Sequence, residues 1–159
     1  LMKEEIMNLR IQIEEKYKTS IKSKNNDAIN TLRLIKSAIK DKDIENRTRD
    51  NKGTIDDQQI ISLLQNLIKQ RKDSIESFKI ANRNDLIEKE TIEIEIINHF
   101  LPKQLNNKEM KILLDKFIKD NSLSSIKDMG TIMNYLKNNY PGKVDMALAG
   151  KLAKELLGS

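Results

Sequence analysis

Apolar residues recur at Ile6, Leu9, Ile13, Tyr17 and Ile21, a spacing of three and four that marks one face of a helix. Asn25-Asn26-Asp27 interrupts this stripe, and Asp27 is placed to cap a second helix with a face of Ala28, Leu32, Ile35, Ala38 and Ile39. From Glu45 to Gly53 the chain is polar and loses its apolar repeat, which predicts a loop or a frayed helix end. Thr54 followed by Asp57 predicts a helix start with a carboxylate near the positive end of the dipole. The next stripe runs Ile60, Leu64, Leu67, Arg71, Ile75 and Phe78, with Arg71 its one polar member. Asn82-Arg83-Asn84 punctuates, and a further helix is predicted from Asp85 to near Phe100, with Leu86, Ile94, Ile97 and Leu101 facing inward.

Pro102 closes this first part, because proline cannot continue a helix interior and turns its predecessor away from helical angles. Beyond it, Asn106 and Glu109 have capping-box spacing, and Leu105 and Met110 bracket them at the staple positions. That helix continues through Leu113, Leu114, Phe117 and Ile118. Ser125 and Asp128 make a second box-like start before Met129, Ile132, Met133 and Leu136. Pro141-Gly142 predicts a turn, and Asp145 caps a last helix carrying Leu148, Leu152 and Leu156. No strand-like alternation survives this pass. The expected fold is all-α: an N-terminal bundle of about four helices over residues 1–101, then a small three-helix domain over residues 102–159.

Composition narrows the chemistry. Aromatics are 4% with no Trp, so the core must be built from Ile, Leu and Met. The absence of Cys removes disulfides, thiolate catalysis and Cys-ligated metal. A lone His99 within an apolar stretch reads as an ordinary helix residue, so no zinc site or Ser-His-Asp triad is expected. The scattered glycines form neither phosphate-binding loop, and no Ser sits in a nucleophile elbow. No catalytic residue, metal or cofactor is therefore expected. No apolar run approaches a membrane span, and no membrane partner is expected. A cytoplasmic protein is expected; because residue 1 is Leu, an organellar one with a removed leader stays open.

Net charge is +5, and it is uneven, with basic ends flanking an acidic middle. In the middle, Lys69, Arg71, Asp73, Arg83 and Asp85 form a polar cluster that reads as structural. Lys69–Asp73 and Lys72–Glu76 have the spacing of surface helix pairs, and Arg71 is placed to bind a carboxylate of the next helix. Glu88, Glu90, Glu93 and Glu95 lack the Glu-x-x-His pattern of helical di-metal sites and read as a solvated acidic face. The C-terminal part is the better binding candidate. Lys127, Lys137, Lys143, Lys151 and Lys154 fall on short helices and one turn, and Gly130 would let a backbone or phosphate approach closely. The helix starts near Ser125 and Asp145 are expected to offer N–H groups to anions. With only Tyr135 and Tyr140 as aromatic platform, this pattern suits the backbone of a folded RNA better than unpaired bases. Gly130 and Met133 have a competing reading as devices for tight helix packing.

Lys69-Gln-Arg-Lys-Asp-Ser74, Phe78, Ala81-x-Arg83-x-Asp85-Leu86, Glu90, Glu93, Leu101-Pro-Lys-Gln-Leu105 and Lys127-Asp-Met-Gly130 with Met133 resemble, in order and spacing, the GatB/YqeY family. Leu32-Arg33 and Ser37-Ala38 also fit, so the likeness spans nearly the whole chain. It implies a two-part helical protein with a C-terminal part similar to the tail of the GatB subunit. That subunit belongs to the tRNA-dependent amidotransferase, a carbon–nitrogen ligase that uses glutamine as amide donor. In that enzyme the tail helps to hold tRNA, while the chemistry lies elsewhere, and the catalytic portion of GatB has no counterpart here. The implied function is a noncatalytic, amidotransferase-associated module that binds tRNA, with tRNA, amidotransferase subunits or another protein as partners. The alternatives are a protein-interaction adaptor and, behind it, an amidotransferase in its own right.

Overall fold

In a computed structural model the chain is described over residues 8–47 and 53–158. The expected position of Ile6 and the middle of the polar stretch before Gly53 lie outside those residues. The described residues form helices α1 (Leu9–Lys22), α2 (Asn26–Glu45), α3 (Asp57–Ile80), α4 (Asn84–Asn98), α5 (Asn107–Asp120), α6 (Met129–Asn139) and α7 (Met146–Leu157). A single 3-10 turn, Ile126–Asp128, leads into α6, and there is no strand among the described residues. The chain divides into two units, Leu1–Leu101 and Pro102–Ser159.

The first unit folds because each helix buries the apolar stripe visible in its sequence. Leu9 and Ile13 of α1 meet Ala28, Leu32, Ile35 and Ile39 of α2, and Ile60, Leu64 and Leu67 of α3, in one core that also takes in Ile97 and Phe100. Three expected details shift. Asn25, not Asp27, caps α2, its side chain accepting from the Ala28 N–H at 3.1 Å, because the cap must precede the first helical residue. The box at the start of α3 is Asp56 with Gln59 rather than Thr54 with Asp57. Asp57 instead accepts the Leu9 N–H at 3.1 Å, tying the start of α1 to the start of α3. Ile21, at the end of the expected α1 stripe, is 46% exposed, and Ser20 is buried in its place.

Asp43 organises the far end of α2. Its carboxylate receives Arg10 of α1 at 2.6 Å and the Ile55 N–H at 2.8 Å, and Arg10 also donates to the Ile55 carbonyl. The chain returns to Ile55 through Gly53, which has φ +88° and lies so close that a Cβ would collide with the Asp43 carbonyl and the Arg47 side chain. Only glycine meets both conditions.

The second unit has its own core of Met110, Leu114, Ile118, Ile132, Leu136, Val144, Ala149 and Leu152. Asn106 and Glu109 exchange both capping-box bonds at the start of α5, and Met110 beside them is fully buried. On α7 the expected inner residue Leu156 is 38% exposed and Leu157 is buried in its place. The ends of α1, α3 and α5 share one geometry. Lys24, Asn82 and Ser122 take positive φ, and the N–H of the following residue closes back onto the last turn, as in Asn25 to the Ser20 carbonyl and Arg83 to that of Phe78.

Candidate nucleic-acid interface

The basic residues singled out in the sequence sit on the rim of the second unit. Lys127 lies in the 3-10 turn, Gly130 and Lys137 on α6, Lys143 just before α7, and Lys151 and Lys154 on α7. All six positions are exposed. Gly130 and Lys137, seven residues apart, share one solvent face of α6, with the exposed Asn134 between them. Lys151 and Lys154 likewise share a face of α7. The two helices meet where a Cβ on Gly150 would stand 3.8 Å from the Met133 Cε. Lys137 lies one turn beyond Met133 and Lys154 one turn beyond Gly150, so both border the α6–α7 seam.

Lys143 is held by its backbone. Its carbonyl accepts the Leu105 N–H at 2.8 Å and its N–H donates to the Tyr140 carbonyl at 3.1 Å. The Gln104 side chain donates to the Gly142 carbonyl, so the Pro141-Gly142 turn is pinned to the segment before α5. A lysine on so fixed a backbone loses only side-chain freedom when it meets a ligand.

The unit's own carboxylates do not neutralise these lysines. Residues 102–159 contain six Asp and Glu. Glu109, Asp128 and Asp145 are engaged in helix caps, and Asp115 and Asp120 pair with Lys119 and Lys116 on α5. Glu155 is the remaining one. Among the described residues no ion pair is formed by Lys127, Lys137, Lys143, Lys151 or Lys154.

Two sequence expectations need correction. The helix starts do not offer themselves to an anion. Asp145 takes the Ala147 and Leu148 N–H groups at 3.1 and 3.2 Å, and at the 3-10 turn Ser125 takes that of Lys127 while Asp128 takes those of Ser124 and Ser125, so these N–H groups are already bonded. Nor is Gly130 a packing device: a Cβ there would meet nothing within 4 Å, whereas Met133 does pack against the core. The aromatic platform is also largely used up. Phe117 of α5 stacks on Tyr135 with ring centroids 4.0 Å apart, and Tyr140 meets Tyr135 edge-on. The Tyr140 hydroxyl beside it, with burial behind, holds the Tyr135 phenol above its usual range. Because the three rings come from α5, α6 and the turn after α6, no local spacing could reveal this stack.

The polar cluster of the first unit has a different character. Arg71 pairs with Glu93 of α4 at 3.2 Å and donates to the Leu67 carbonyl at 2.9 Å, with side chains only 11% and 19% exposed. Lys69–Asp73 is a surface pair at 3.4 Å, and Glu76 pairs with Lys79 at 3.1 Å. Arg83 clasps Asp85 at the start of α4, raising its own pKa and lowering that of the carboxyl. Among the described residues no group of His, Asp and Glu could hold a metal ion, and no helix is long and apolar enough to cross a membrane.

Comparison with known proteins places these features. A family model described as YqeY-like protein matches residues 10–157. An uncharacterized protein of Schizosaccharomyces pombe is 35% identical over 102 residues, which are 64% of this chain and 79% of that protein. A protein of Pyrenophora tritici-repentis called altered inheritance of mitochondria protein 41, mitochondrial, is 28% identical over 153 residues, covering 93% of this chain and 80% of its own. Its namesake in Lachancea thermotolerans is 45% identical over 71 residues, covering 45% and 36%.

Proposed function

The chain belongs to the YqeY-like protein family, and from that premise we propose that it is a noncatalytic module whose C-terminal unit binds folded tRNA in the service of tRNA-dependent amide transfer. One observation carries the reading: Lys127, Lys137, Lys143, Lys151 and Lys154 stand exposed without ion pairs while all but one of the unit's carboxylates are committed elsewhere. Such a surface attracts phosphate by releasing counterions. The stacked rings of Phe117 and Tyr135 leave little aromatic face for unpaired bases, which favours the backbone of a folded RNA. The relatives named mitochondrial support an organelle, besides the cytoplasm, as the place of action.

Neutralising Lys127, Lys143 and Lys151 together tests the reading. Removing one lysine that neutralises a phosphate should make the slope of log affinity against log salt about one unit shallower. The triple Ala variant is therefore expected to bind tRNA with a slope about three units shallower and an unchanged unfolding midpoint. An unchanged slope would sink the proposal. Formation of amidated tRNA by the purified chain, given misacylated tRNA, glutamine and ATP, would establish an amidotransferase in place of a binding module.

Gly130 gives a second handle. In a helix, Ala is favoured over Gly by roughly 0.5–1 kcal/mol, and here the added methyl meets no neighbour. Gly130→Ala is expected to raise the unfolding midpoint of the second unit and to weaken tRNA binding several-fold. Unaltered binding in a stabilised variant would show that nothing approaches this backbone.

A further inference from the structure

The α3–α4 hairpin outruns its own core. Along α3 the buried residues end at Ile68, yet the helix continues to Ile80. Along α4 only Ile97, in its last turn, is buried. Between these limits the apolar side chains of Ile75, Phe78, Leu86 and Ile87 are half-buried and belong to neither core, and Ile80 beyond them is 86% exposed. Two antiparallel helices cover one side of each other's apolar stripe and leave the opposite side of the seam open.

Both signs occur along this seam, but the cations of α3 and of the turn after it are engaged, and the charge left over is mostly negative. Leu86, Glu90, Ile94 and Ile97 form the inner stripe of α4, so Glu90 lies within an apolar row. Arg71 is committed to Glu93, Lys79 to Glu76 and Arg83 to Asp85. Among the described residues Glu88, Glu90 and Glu95 make no ion pair, and Lys89 is the one cation on α4. Burial first, and Glu93 beside it, raise the pKa of Glu90 in spite of Arg71 and Lys89.

We propose that the outer half of the α3–α4 hairpin docks a basic amphipathic helix of a partner protein, its apolar stripe over Ile75, Phe78, Leu86 and Ile87 and a Lys or Arg against Glu90. A third helix laid along the seam completes a bundle that two helices leave half-built. The unpaired Glu88, Glu90 and Glu95 favour a basic helix over an acidic one. This site belongs to the first unit and does not depend on the tRNA reading.

The test uses the full chain and two labelled peptides with the same leucine pattern at helical spacing, one with Lys and one with Glu at every polar position. Fluorescence anisotropy near physiological salt should show the Leu/Lys peptide binding at least about tenfold more tightly than the Leu/Glu peptide. Glu90→Gln should weaken the Leu/Lys peptide several-fold while leaving the unfolding midpoint unchanged or raised, and Phe78→Ser should abolish binding. Saturating tRNA should not displace the peptide. The proposal is overturned if the two peptides bind alike, if both substitutions leave binding unchanged, or if tRNA competes. It is overturned equally if sedimentation shows two copies of the chain closing over this seam.

Discussion

Arg71→Ala is expected to lower the stability of the first unit by about 3 kcal/mol, near the lower bound for breaking a buried ion pair by removing one partner. The guanidinium is tied at once to Glu93 and to the Leu67 carbonyl, and its stem replaces an apolar residue on the α3 stripe. Its loss leaves Glu93 without a cation in a seam that also contains Glu90. Glu93→Ala should cost less, about 2 kcal/mol, because Arg71 keeps the Leu67 carbonyl and reaches water. The double variant should cost clearly less than the sum, since the second deletion removes a charge that the first left unpaired. Urea unfolding of the four proteins gives the coupling directly. The Arg71→Ala penalty also has a predictable pH dependence. Arg71 is an influence that lowers the pKa of Glu90, so its removal raises that pKa further. A carboxyl with a raised folded pKa gains stability as the pH falls through that value toward its unfolded one. The penalty should therefore shrink between about pH 7 and pH 4.5. Additive losses with no pH dependence would remove the ion pair from the account.

Asp43→Ala is expected to cost a similar amount, about 3 kcal/mol at neutral pH. It removes the acceptor of both Arg10 and the N–H of the buried Ile55, and leaves Arg10 with its Nε already unsatisfied. Arg10, through its hydrogen bond first, holds the Asp43 carboxyl below its ordinary value, with the Ile55 N–H and Arg47 adding to the effect and burial opposing it. The sign follows from linkage. A lowered folded pKa contributes stability that is present above the unfolded value of about 3.9 and is lost as the pH falls through the folded value. The cost of Asp43→Ala should thus persist to about pH 4 and decline below it, whereas Asp43→Asn should cost about half as much at neutral pH because one acceptor survives. Equal stability of the Ala variant and the parent at neutral pH would show that the Asp43 bonds do not close the return through Gly53.

Asp43 also shows where sequence reading stops. It lies four residues after Ile39, on the flank of the α2 apolar stripe, so its position is visible, but its two partners come from residues 33 and 12 positions away and no local spacing names them. Gly53 carries the better signal, a single glycine in a polar stretch, but only the closeness of the Asp43 carbonyl explains it. The all-helical fold was legible because the apolar stripes recur at helical spacing and the box at Asn106 and Glu109 fixes its boundary unaided. Cap positions were legible to within a residue or two, as at Asn25 and Asp56, where several Asn and Asp neighbours offer the same chemistry. In the candidate interface the lysines were visible, but their freedom from ion pairs was not. It depends on Glu109, Asp115, Asp120, Asp128 and Asp145 being drawn into caps and pairs of their own. The Asp145 cap likewise takes up the N–H groups expected to meet an anion at the start of α7, since a residue that caps a helix occupies the site its dipole would offer.

Equilibrium binding of the full chain to a folded tRNA, set beside an unstructured RNA of equal length near 0.15 M salt, tests the function most directly. If the lysine rim of the second unit grips a folded backbone, the tRNA should bind at least about tenfold more tightly, and with a steeper salt dependence, than the unstructured strand. Equal affinity for the two would reduce the rim to a solvated basic surface.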